Sequence, residues 1–369
     1  MKAIGIILAG GNNDKLGALT TRRALSAIPV GSCYRSIDFT LSNMSNSGIG
    51  KIAVITQYNS RSLHDHMSSA KWWDMGRKQG GLFVFSPYLS NDNSLWFRGT
   101  ADSIFQNITF LKRSIEPYVL IASGDAVYKM DYNDVIEQHE QTQADITVMY
   151  KNVEDEDVCN YGVLELDETG RLLEFEEKPL ETHLRHISMG IYVISRTLLI
   201  NLLETIVGEG RYDIVKDIII RYRKKLNIRG YLFSGYWRAV NGIPEYFGIN
   251  MDFLKKEVRN LFTAAEPYIE TKPKDEPPVK YNYTASVRDS LIGSGGIING
   301  TVNHSVLFRK VYTGENSCIN NSIIMEGTIV ATNCYVEYAI VDKEAVLSDG
   351  RRITGTREQP IIVPKGAVV

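Results

Sequence analysis

Cysteine is scarce in this chain of 369 residues, and no apolar run is long enough to span a membrane. The four cysteines (Cys33, Cys159, Cys318 and Cys334) are far apart and form no CxxC pair. This spacing argues against a zinc site or a disulfide framework and is typical of a reducing cytosol. An apolar strand begins within three residues of Met1, so we expect no signal peptide and a cytoplasmic location.

The chain also lacks an excess of charge of either sign. Lys and Arg together number 41 and Asp and Glu 43, which gives a formal net charge of −2. Such a balance provides no general attraction to nucleic acid or to an anionic membrane, and we expect neither as a partner. Hydrophobic residues make up 44% and charged residues 23%, as in soluble globular proteins, and the length is sufficient for two domains.

Residues 1 to about 250 alternate between strand-like apolar runs and segments with helical periodicity. This alternation predicts a mostly parallel sheet with helices on both faces, in which ligands bind beyond the carboxyl ends of the strands. The predicted strands are 51–58, 118–125, 144–151, 190–195 and 227–233, and the clearest predicted helices are 103–115 and 197–207.

The composition changes after residue 250. A helical pattern over 246–262 is followed by a proline-rich segment, 267–281, that we interpret as an extended linker. From Ser290 onward, aliphatic residues recur about every six positions between Gly, Asn and Ser, which is the hexapeptide pattern of a parallel β-helix. The predicted divisions are 1–250 for the α/β domain, 251–285 for the helix and linker, and 286–369 for the β-helix.

Two turns at predicted strand ends are candidate ligand sites. Gly10 and Gly11 follow the apolar run 6–9, and glycines there allow backbone N–H groups to approach a phosphate. Gly124 and Asp125 end another strand, where a carboxylate beside phosphates is a natural Mg²⁺ ligand. The alternatives are an ordinary strand-to-helix turn and common Gly-Asp turn chemistry.

Several longer strings resemble the bacterial glucose-1-phosphate adenylyltransferase (ADP-glucose pyrophosphorylase) family. They are LAGGNNDKLGALTTRRALSAIP (8–29), TQY (56–58), WFRGTADSIFQN (96–107), SGDAVYKMDY (123–132), EFEEKP (174–179), HISMGIYVIS (186–195), RYDIVKD (211–217) and GYWRAVNG (235–242). The resemblance covers nearly the whole chain. It implies a Rossmann-like, GT-A-type nucleotidyltransferase domain followed by a left-handed parallel β-helix. The implied reaction is ATP plus glucose 1-phosphate giving ADP-glucose and diphosphate, in glycogen biosynthesis.

The resemblance also implies a role for particular residues. The nucleotide side of the site comprises Leu8, Gly10, Gly11, Lys15, Gln57, Gly99 and Gly124. The sugar-phosphate side comprises Lys178, Ser188, Tyr192, Asp213 and Trp237. Arg22 and Arg35 match positions of an effector-binding cationic cluster, and the alternative for them is a pair of solvated arginines.

This chain departs from the catalytic pattern at the triphosphate side. Asn13 replaces a glycine, Lys15 an arginine, Leu25-Ser26 a Lys-Pro pair, and Ala239 the second Mg²⁺-binding aspartate. Asp125 alone remains of the two metal carboxylates. The chain therefore most resembles the GlgD-type regulatory subunit, silent or very weak alone. We expect it to form a homo-oligomer alone and a heterotetramer with the catalytic ADP-glucose pyrophosphorylase subunit, and to bind a sugar phosphate.

Two alternatives remain open from the sequence. One is an active adenylyltransferase that uses substitute metal ligands. Asn241 and Glu245 are close to Ala239 in the sequence, but neither occupies the position of the aspartate. The other is a hexapeptide-repeat acyltransferase. His304 is the only β-helix histidine, and no acyl-carrier groove is evident, which disfavours the second alternative.

Overall fold

The structure is a computed structural model that describes residues 2–11, 14–76, 80–88, 96–153 and 158–369. The predicted contribution of Asn13 lies outside these residues. None of the helices in these ranges is both long and apolar enough to cross a membrane.

A nine-stranded sheet with helices on both faces dominates the N-terminal part of the chain. The strands up to residue 239 are β1 (Ala3–Ala9), β2 (Pro29–Val30), β3 (Tyr34–Arg35), β4 (Lys51–Thr56), β5 (Gly81–Phe85), β6 (Tyr118–Ser123), β7 (Ala126–Tyr128), β8 (Ile146–Asn152), β9 (Gly162–Leu166), β10 (Leu172–Glu177), β11 (His186–Ser195), β12 (Ile228–Leu232) and β13 (Trp237–Ala239).

The sheet is mostly parallel around β1. Its order is β10-β9-β11-β6-β1-β4-β5, with β8 joined to β11 and β12 to β8, and β1 pairs in parallel with both β4 and β6. This confirms the predicted Rossmann-like architecture. Strand β11 runs antiparallel to β6 and β8, a direction that apolar periodicity does not reveal because both faces of the sheet are buried.

In the described ranges, eight α-helices flank the sheet or lead out of it. They are α1 (Ser36–Asn46), α2 (Arg61–Met67), α3 (Thr100–Phe105), α4 (Ile108–Lys112), α5 (Tyr132–Gln141), α6 (Arg196–Gly208), α7 (Ile243–Asp252) and α8 (Lys256–Thr263). The helix predicted over 246–262 is thus two helices, and the predicted division at residue 250 falls inside α7. Pro244 lies in the first turn of α7, where a missing N–H costs little.

The C-terminal part is a stack of short parallel strands in three five-stranded sheets, consistent with the predicted left-handed β-helix. The strands are β14 (Lys280–Tyr281), β15 (Ser286–Arg288), β16 (Leu291–Ile292), β17 (Ile297–Ile298), β18 (Thr301–Asn303), β19 (Val306–Leu307), β20 (Tyr312–Thr313), β21 (Cys318–Asn320), β22 (Ile323–Ile324), β23 (Ile329–Val330), β24 (Tyr335–Glu337), β25 (Ala339–Val341), β26 (Val346–Leu347), β27 (Arg352–Thr354) and β28 (Ile361–Val363). Aliphatic side chains that point inward form the core of the stack.

The β-helix packs against the N-terminal part through an apolar surface. Val306, Ile323 and Ile340 stack in register on one sheet and are completely buried in a cluster that includes Phe253 of the segment between α7 and α8. A buried ion pair, Arg23 Nη2 to Asp342 Oδ1 at 2.6 Å, also joins the two parts.

Candidate active site

The candidate site is a cleft of about 360 Å³ beyond the carboxyl ends of β1 and β6. Leu8, Ala9 and Gly11 line it from the β1 side, and Ser123 and Asp125 from the β6 side. The two glycine turns therefore converge on one cleft, because the parallel strands β1 and β6 are neighbours and end at the same edge.

Three of the predicted nucleotide-side glycines lie behind the cleft surface and allow close packing. A Cβ on Gly10 would be 3.2 Å from Gln57 Cβ, and one on Gly124 would be 2.9 Å from Ser26 Oγ. A Cβ on Gly99 would clash with the carbonyl oxygen of Tyr212. The segments that form the wall of the cleft can pack this closely because these three residues have no side chain.

Two predicted nucleotide contacts are engaged within the protein. Gln57, just after β4, accepts a hydrogen bond at Oε1 from the Phe97 N–H at 2.9 Å. Lys15 donates through Nζ to Oδ1 of Asn160, which lines the cleft. The side-chain groups that the resemblance assigns to the nucleotide therefore already have protein partners.

Asp125 and Ala239 lie side by side, as the resemblance implies for the two metal positions. Strands β7 and β13 pair antiparallel, with Ala239 opposite Ala126, the residue after Asp125. Both Asp125 and Ala239 line the cleft. Burial raises the pKa of Asp125, and a hydrogen bond donated by Ser123 partly opposes this effect.

The donor set at this position does not match a two-carboxylate Mg²⁺ site. Asp125 is the sole carboxylate of the pair, Ala239 contributes a methyl group, and the nearby Asn241 contributes an amide. Within the described ranges, no group of three or more His, Cys, Asp or Glu side chains is placed to hold a metal ion. A divalent cation bridging two phosphates needs carboxylates to offset its charge, so we derive no step through a metal here.

The sugar-phosphate side brings together most of the predicted residues. Lys178, Ser188 and Tyr192 all line the cleft. Lys178 has a positive φ of 51°, and its Nζ is 3.9 Å from Oε1 of Glu177. Burial raises the pKa of the Glu177 carboxyl and of the Tyr192 hydroxyl, which lies 3.5 Å from Ser188 Oγ.

Trp237 offers an unused donor at the floor of the cleft. The residue is 5% exposed, lines the cleft, and its Nε1 is buried without a hydrogen-bond partner in the described part of the chain. Buried indole N–H groups are normally paired, so this donor is suited to a ligand oxygen. Asp213 is different, because its Oδ1 accepts the Lys216 N–H at 2.8 Å and so caps the first turn of the π-helical segment Val215–Ile220.

The triphosphate side of the cleft is apolar or neutral where the resemblance implies cations. Leu25, which is 8% exposed, and Ser26 line the cleft in place of the Lys-Pro pair. Among the described residues that line the cleft, Lys178 is the only cation, against the carboxylates of Asp125 and Glu177. The cleft thus has little positive charge for a polyphosphate.

A second region, between the N-terminal part and the β-helix, has the opposite character. Arg22 and Arg35, the two predicted effector residues, both line a cavity of about 410 Å³ there. It adjoins a smaller cavity of about 230 Å³ that shares Arg35. We call these two cavities together the basic interdomain cavity. Arg35 also donates to the Ser62 carbonyl at 2.7 Å, and burial lowers its pKa.

Sequence reasoning missed part of each region. In the cleft, Asn160, Tyr161 and Glu177 also line the wall, and only Glu177, adjacent to Lys178, had a local signal. In the basic interdomain cavity, the missed cations include Lys274 of the linker and Lys343 of the β-helix. These cations are far apart in the sequence and carry no local motif.

Protein-family models match two stretches of the chain. Residues 4–256 match the Nucleotidyl transferase family, and residues 278–360 match the family described as GlmU-like, C-terminal hexapeptide. Together with the sheet topology and the cleft at its edge, these matches define a nucleotidyl transferase with an appended hexapeptide β-helix.

Full-length relatives give the narrower family. Proteins named glucose-1-phosphate adenylyltransferase from Bacillus thuringiensis (strain Al Hakam), Bacillus anthracis and Bacillus mycoides (strain KBAB4) are each 36% identical to this chain over 352 residues. The matched region covers 95% of this chain and 94% of each relative. The chain belongs to the glucose-1-phosphate adenylyltransferase family.

Proposed function

We propose that this chain is a regulatory, GlgD-type subunit of ADP-glucose pyrophosphorylase that is itself silent or very weak in catalysis. The observation that carries the proposal is the charge of the cleft, which contains one lining cation among the described residues and places Ala239 beside Asp125. Phosphoryl-type transfer depends mainly on positioning and on stabilising negative charge. A cleft that lacks further cations and a second carboxylate beside Asp125 is expected to bind and activate a triphosphate poorly.

The sugar-phosphate half of the cleft supports a retained binding function. Lys178 acts as a point charge that needs no metal, and the buried Trp237 Nε1 adds a donor. We therefore propose that glucose 1-phosphate, the sugar phosphate in the name of the relatives, binds this chain measurably, whereas Mg²⁺–ATP binds poorly.

The basic interdomain cavity supports the regulatory part of the proposal. Arg22 and Arg35 line a cavity of about 410 Å³ together with the β-helix residues Lys343 and Lys365. Both parts of the chain therefore contribute cations to one pocket. Guanidinium and ammonium groups arranged in this way bind phosphorylated small molecules. A ligand here contacts both parts of the chain and thereby links effector binding to their relative position.

Assembly with other chains of the family completes the proposal. Ile297, Tyr312 and Ile329 stack in register on the outer face of one β-helix sheet and are 38%, 38% and 43% exposed. The corresponding column on another sheet, which includes Ile323, is buried against the N-terminal part. The chain covers one apolar column with its own residues. We therefore propose that the exposed column packs against a second copy of the chain when no catalytic subunit is present.

The assembly proposal is tested by light scattering after size-exclusion chromatography. Ile329→Glu places a charge in the exposed column and is expected to shift an oligomer toward monomer. Asn303→Glu, on a polar outer strand, is the matched control and should leave the mass unchanged. A wild-type chain that is strictly monomeric and does not co-purify with a catalytic subunit would contradict the proposal.

The functional proposal is tested by measuring ADP-glucose formation with the purified chain, alone and mixed with a catalytic subunit of the family. We expect no more than trace activity alone, and a changed rate or effector response in the mixture. Activity of the isolated chain comparable to that of a catalytic subunit would instead support an adenylyltransferase with substitute ligands.

A further inference from the structure

Glu326 lies where the two compartments of the basic interdomain cavity meet. The two compartments share four lining residues, Arg35, Lys274, Glu326 and Lys343. Three of these are cations, and Glu326 is the single anion among them. The Glu326 carboxylate is therefore accessible to a ligand in either compartment.

Both carboxylate oxygens of Glu326 are bound to ammonium groups. Oε1 accepts a hydrogen bond from Lys274 Nζ, and Oε2 accepts one from Lys343 Nζ at 2.8 Å. The side chains of Glu326 and Lys343 are only 20% and 18% exposed, so solvent screens this pair weakly. One carboxylate of the protein thus pairs with two ammonium groups that line the cavity.

The charges around this pair show why the position is occupied. Burial lowers the pKa of Lys343 to about 8, Glu326 opposes this effect, and Arg35 and Arg23 strengthen it. Burial alone would raise the pKa of Glu326, but the charges and hydrogen bonds of Lys343 and Lys274 outweigh it and hold the pKa at about 2. Without an anion, the clustered cations would repel one another.

We propose that Glu326 is a built-in counter-anion that competes with phosphorylated ligands for Lys274 and Lys343, and so sets the affinity of the basic interdomain cavity. The inference rests on the proposed effector role of this cavity. A ligand phosphate that approaches the two ammonium groups meets the negative charge of Glu326 and must displace it. Weakly charged anions are therefore excluded, and only a ligand with strong phosphate contacts enters.

The same cavity contains a matched control for this proposal. Glu344 also lines the larger compartment, but its side chain is 66% exposed and its carboxylate is 3.4 Å from Lys365 Nζ. Removing the charge of Glu344 changes the net charge of the cavity equally. It does not free the two ammonium groups that Glu326 holds.

The test uses calorimetric titration of the full chain with inorganic phosphate. Glu326→Gln, which keeps the size and an acceptor oxygen, is expected to bind phosphate about tenfold more tightly than the wild type, and Glu344→Gln less than about twofold. Each variant is also measured with Lys178→Ala, which removes the cation that lines the cleft and so identifies the part of the binding signal that comes from the cleft. In the absence of phosphate, Glu326→Gln should lower the melting temperature, and phosphate should restore it.

The outcomes separate this inference from the proposed function. If the wild type and Glu326→Gln both bind phosphate in the basic interdomain cavity with equal affinity, Glu326 is not a counter-anion. The proposal of an effector site in this cavity would still stand. An equal gain in Glu344→Gln also overturns it, because net charge alone then explains the change. If no variant binds phosphate outside the cleft, the effector-site proposal itself fails. Glu326→Asp, with a shorter reach, should show a smaller gain than Glu326→Gln.

Discussion

The cleft at the sheet edge and the basic interdomain cavity differ most in charge. Among described residues, the cleft is lined by one cation and two carboxylates. The larger interdomain compartment is lined by seven cations and two carboxylates. The cleft and this larger compartment are similar in size, at about 360 and 410 Å³. The fold thus provides two concave regions whose lining side chains differ in charge, and we expect this difference to decide which of them attracts a phosphate ligand.

The comparison also shows that the packing of the cleft wall and the polar groups on its surface are separate features. The close packing of Gly10 on Gln57 and of Gly124 on Ser26 maintains the cleft wall. In contrast, Ala239 and Leu25 are buried, at 8% exposure each, and place apolar groups where the resemblance implies an aspartate and a lysine. An apolar side chain at a buried position avoids the cost of an unpaired buried charge, so Leu25 and Ala239 are compatible with a stable cleft wall.

The largest expected effect comes from restoring the cleft. Ala239→Asp alone should give little activity, because Leu25 still provides no cation for the triphosphate. The triple variant Ala239→Asp, Leu25→Lys, Asn13→Gly should raise ADP-glucose formation by much more than the product of the single effects, since each group is worth roughly 10²–10³ in rate and they act as a unit. Rates of the single and triple variants measure this.

Asp125→Asn in the triple variant is the control for this prediction. It should abolish the gain if the restored activity depends on the paired carboxylates. Full activity from Ala239→Asp alone would show that the cleft had retained its other phosphate contacts. The proposed difference in phosphate binding between the cleft and the basic interdomain cavity would then be wrong.

Removing a cation from each region sharpens the comparison. Lys343→Met should weaken phosphate binding in the basic interdomain cavity by about tenfold, because it removes an ammonium group that the ligand contacts. Lys178→Ala should weaken glucose 1-phosphate binding by a similar factor and leave phosphate binding in the interdomain cavity intact. Calorimetry on both variants with both ligands checks this, and exchanged effects would mean that the two sites are assigned the wrong way round.

A smaller effect is expected for the indole of Trp237. Trp237→Phe removes Nε1–H and keeps an aromatic ring in the cleft wall, so glucose 1-phosphate affinity should fall about threefold to tenfold through the loss of one hydrogen bond. Thermal denaturation is the control, and it should show little change because Nε1 has no partner among the described residues. An unchanged affinity would place the sugar phosphate away from this wall.

The smallest effect concerns pH. The pKa of Lys343 is lowered to about 8 by burial, so its charge is lost as the pH rises through that value. Sulfate, which does not titrate in this range, should bind the basic interdomain cavity a few times more weakly about one pH unit above that pKa than about one unit below it. Lys343→Arg keeps its charge and should abolish the difference. A wild-type affinity that is constant over this range would contradict the assignment.

Much of the architecture could be predicted from local patterns. The apolar run before Gly10-Gly11 is a central buried strand, and the hexapeptide repeat forms a parallel β-helix. The position of Ala239 beside Asp125 also agrees with the resemblance. These features could be predicted because the periodicity or motif that determines each of them lies within one short segment of the sequence.

The remainder depends on contacts between distant segments. The engagement of Gln57 by Phe97 and the capping role of Asp213 follow from loop geometry that no periodicity reports. Arg22 and Lys343 meet only because the β-helix docks on the N-terminal part through an apolar surface. A cavity assembled in this way leaves no continuous motif in the sequence.

The central claim is that phosphate recognition persists in the basic interdomain cavity and is weak on the triphosphate side of the cleft. Calorimetric titration of the unmodified chain with Mg²⁺–ATP and, separately, with glucose 1-phosphate tests it most directly. Lys343→Met is included to identify binding in the basic interdomain cavity, which this variant weakens. The account predicts measurable binding of glucose 1-phosphate and no saturable binding of Mg²⁺–ATP to the cleft of the Lys343→Met chain. Tight Mg²⁺–ATP binding that Lys343→Met leaves unchanged would contradict it.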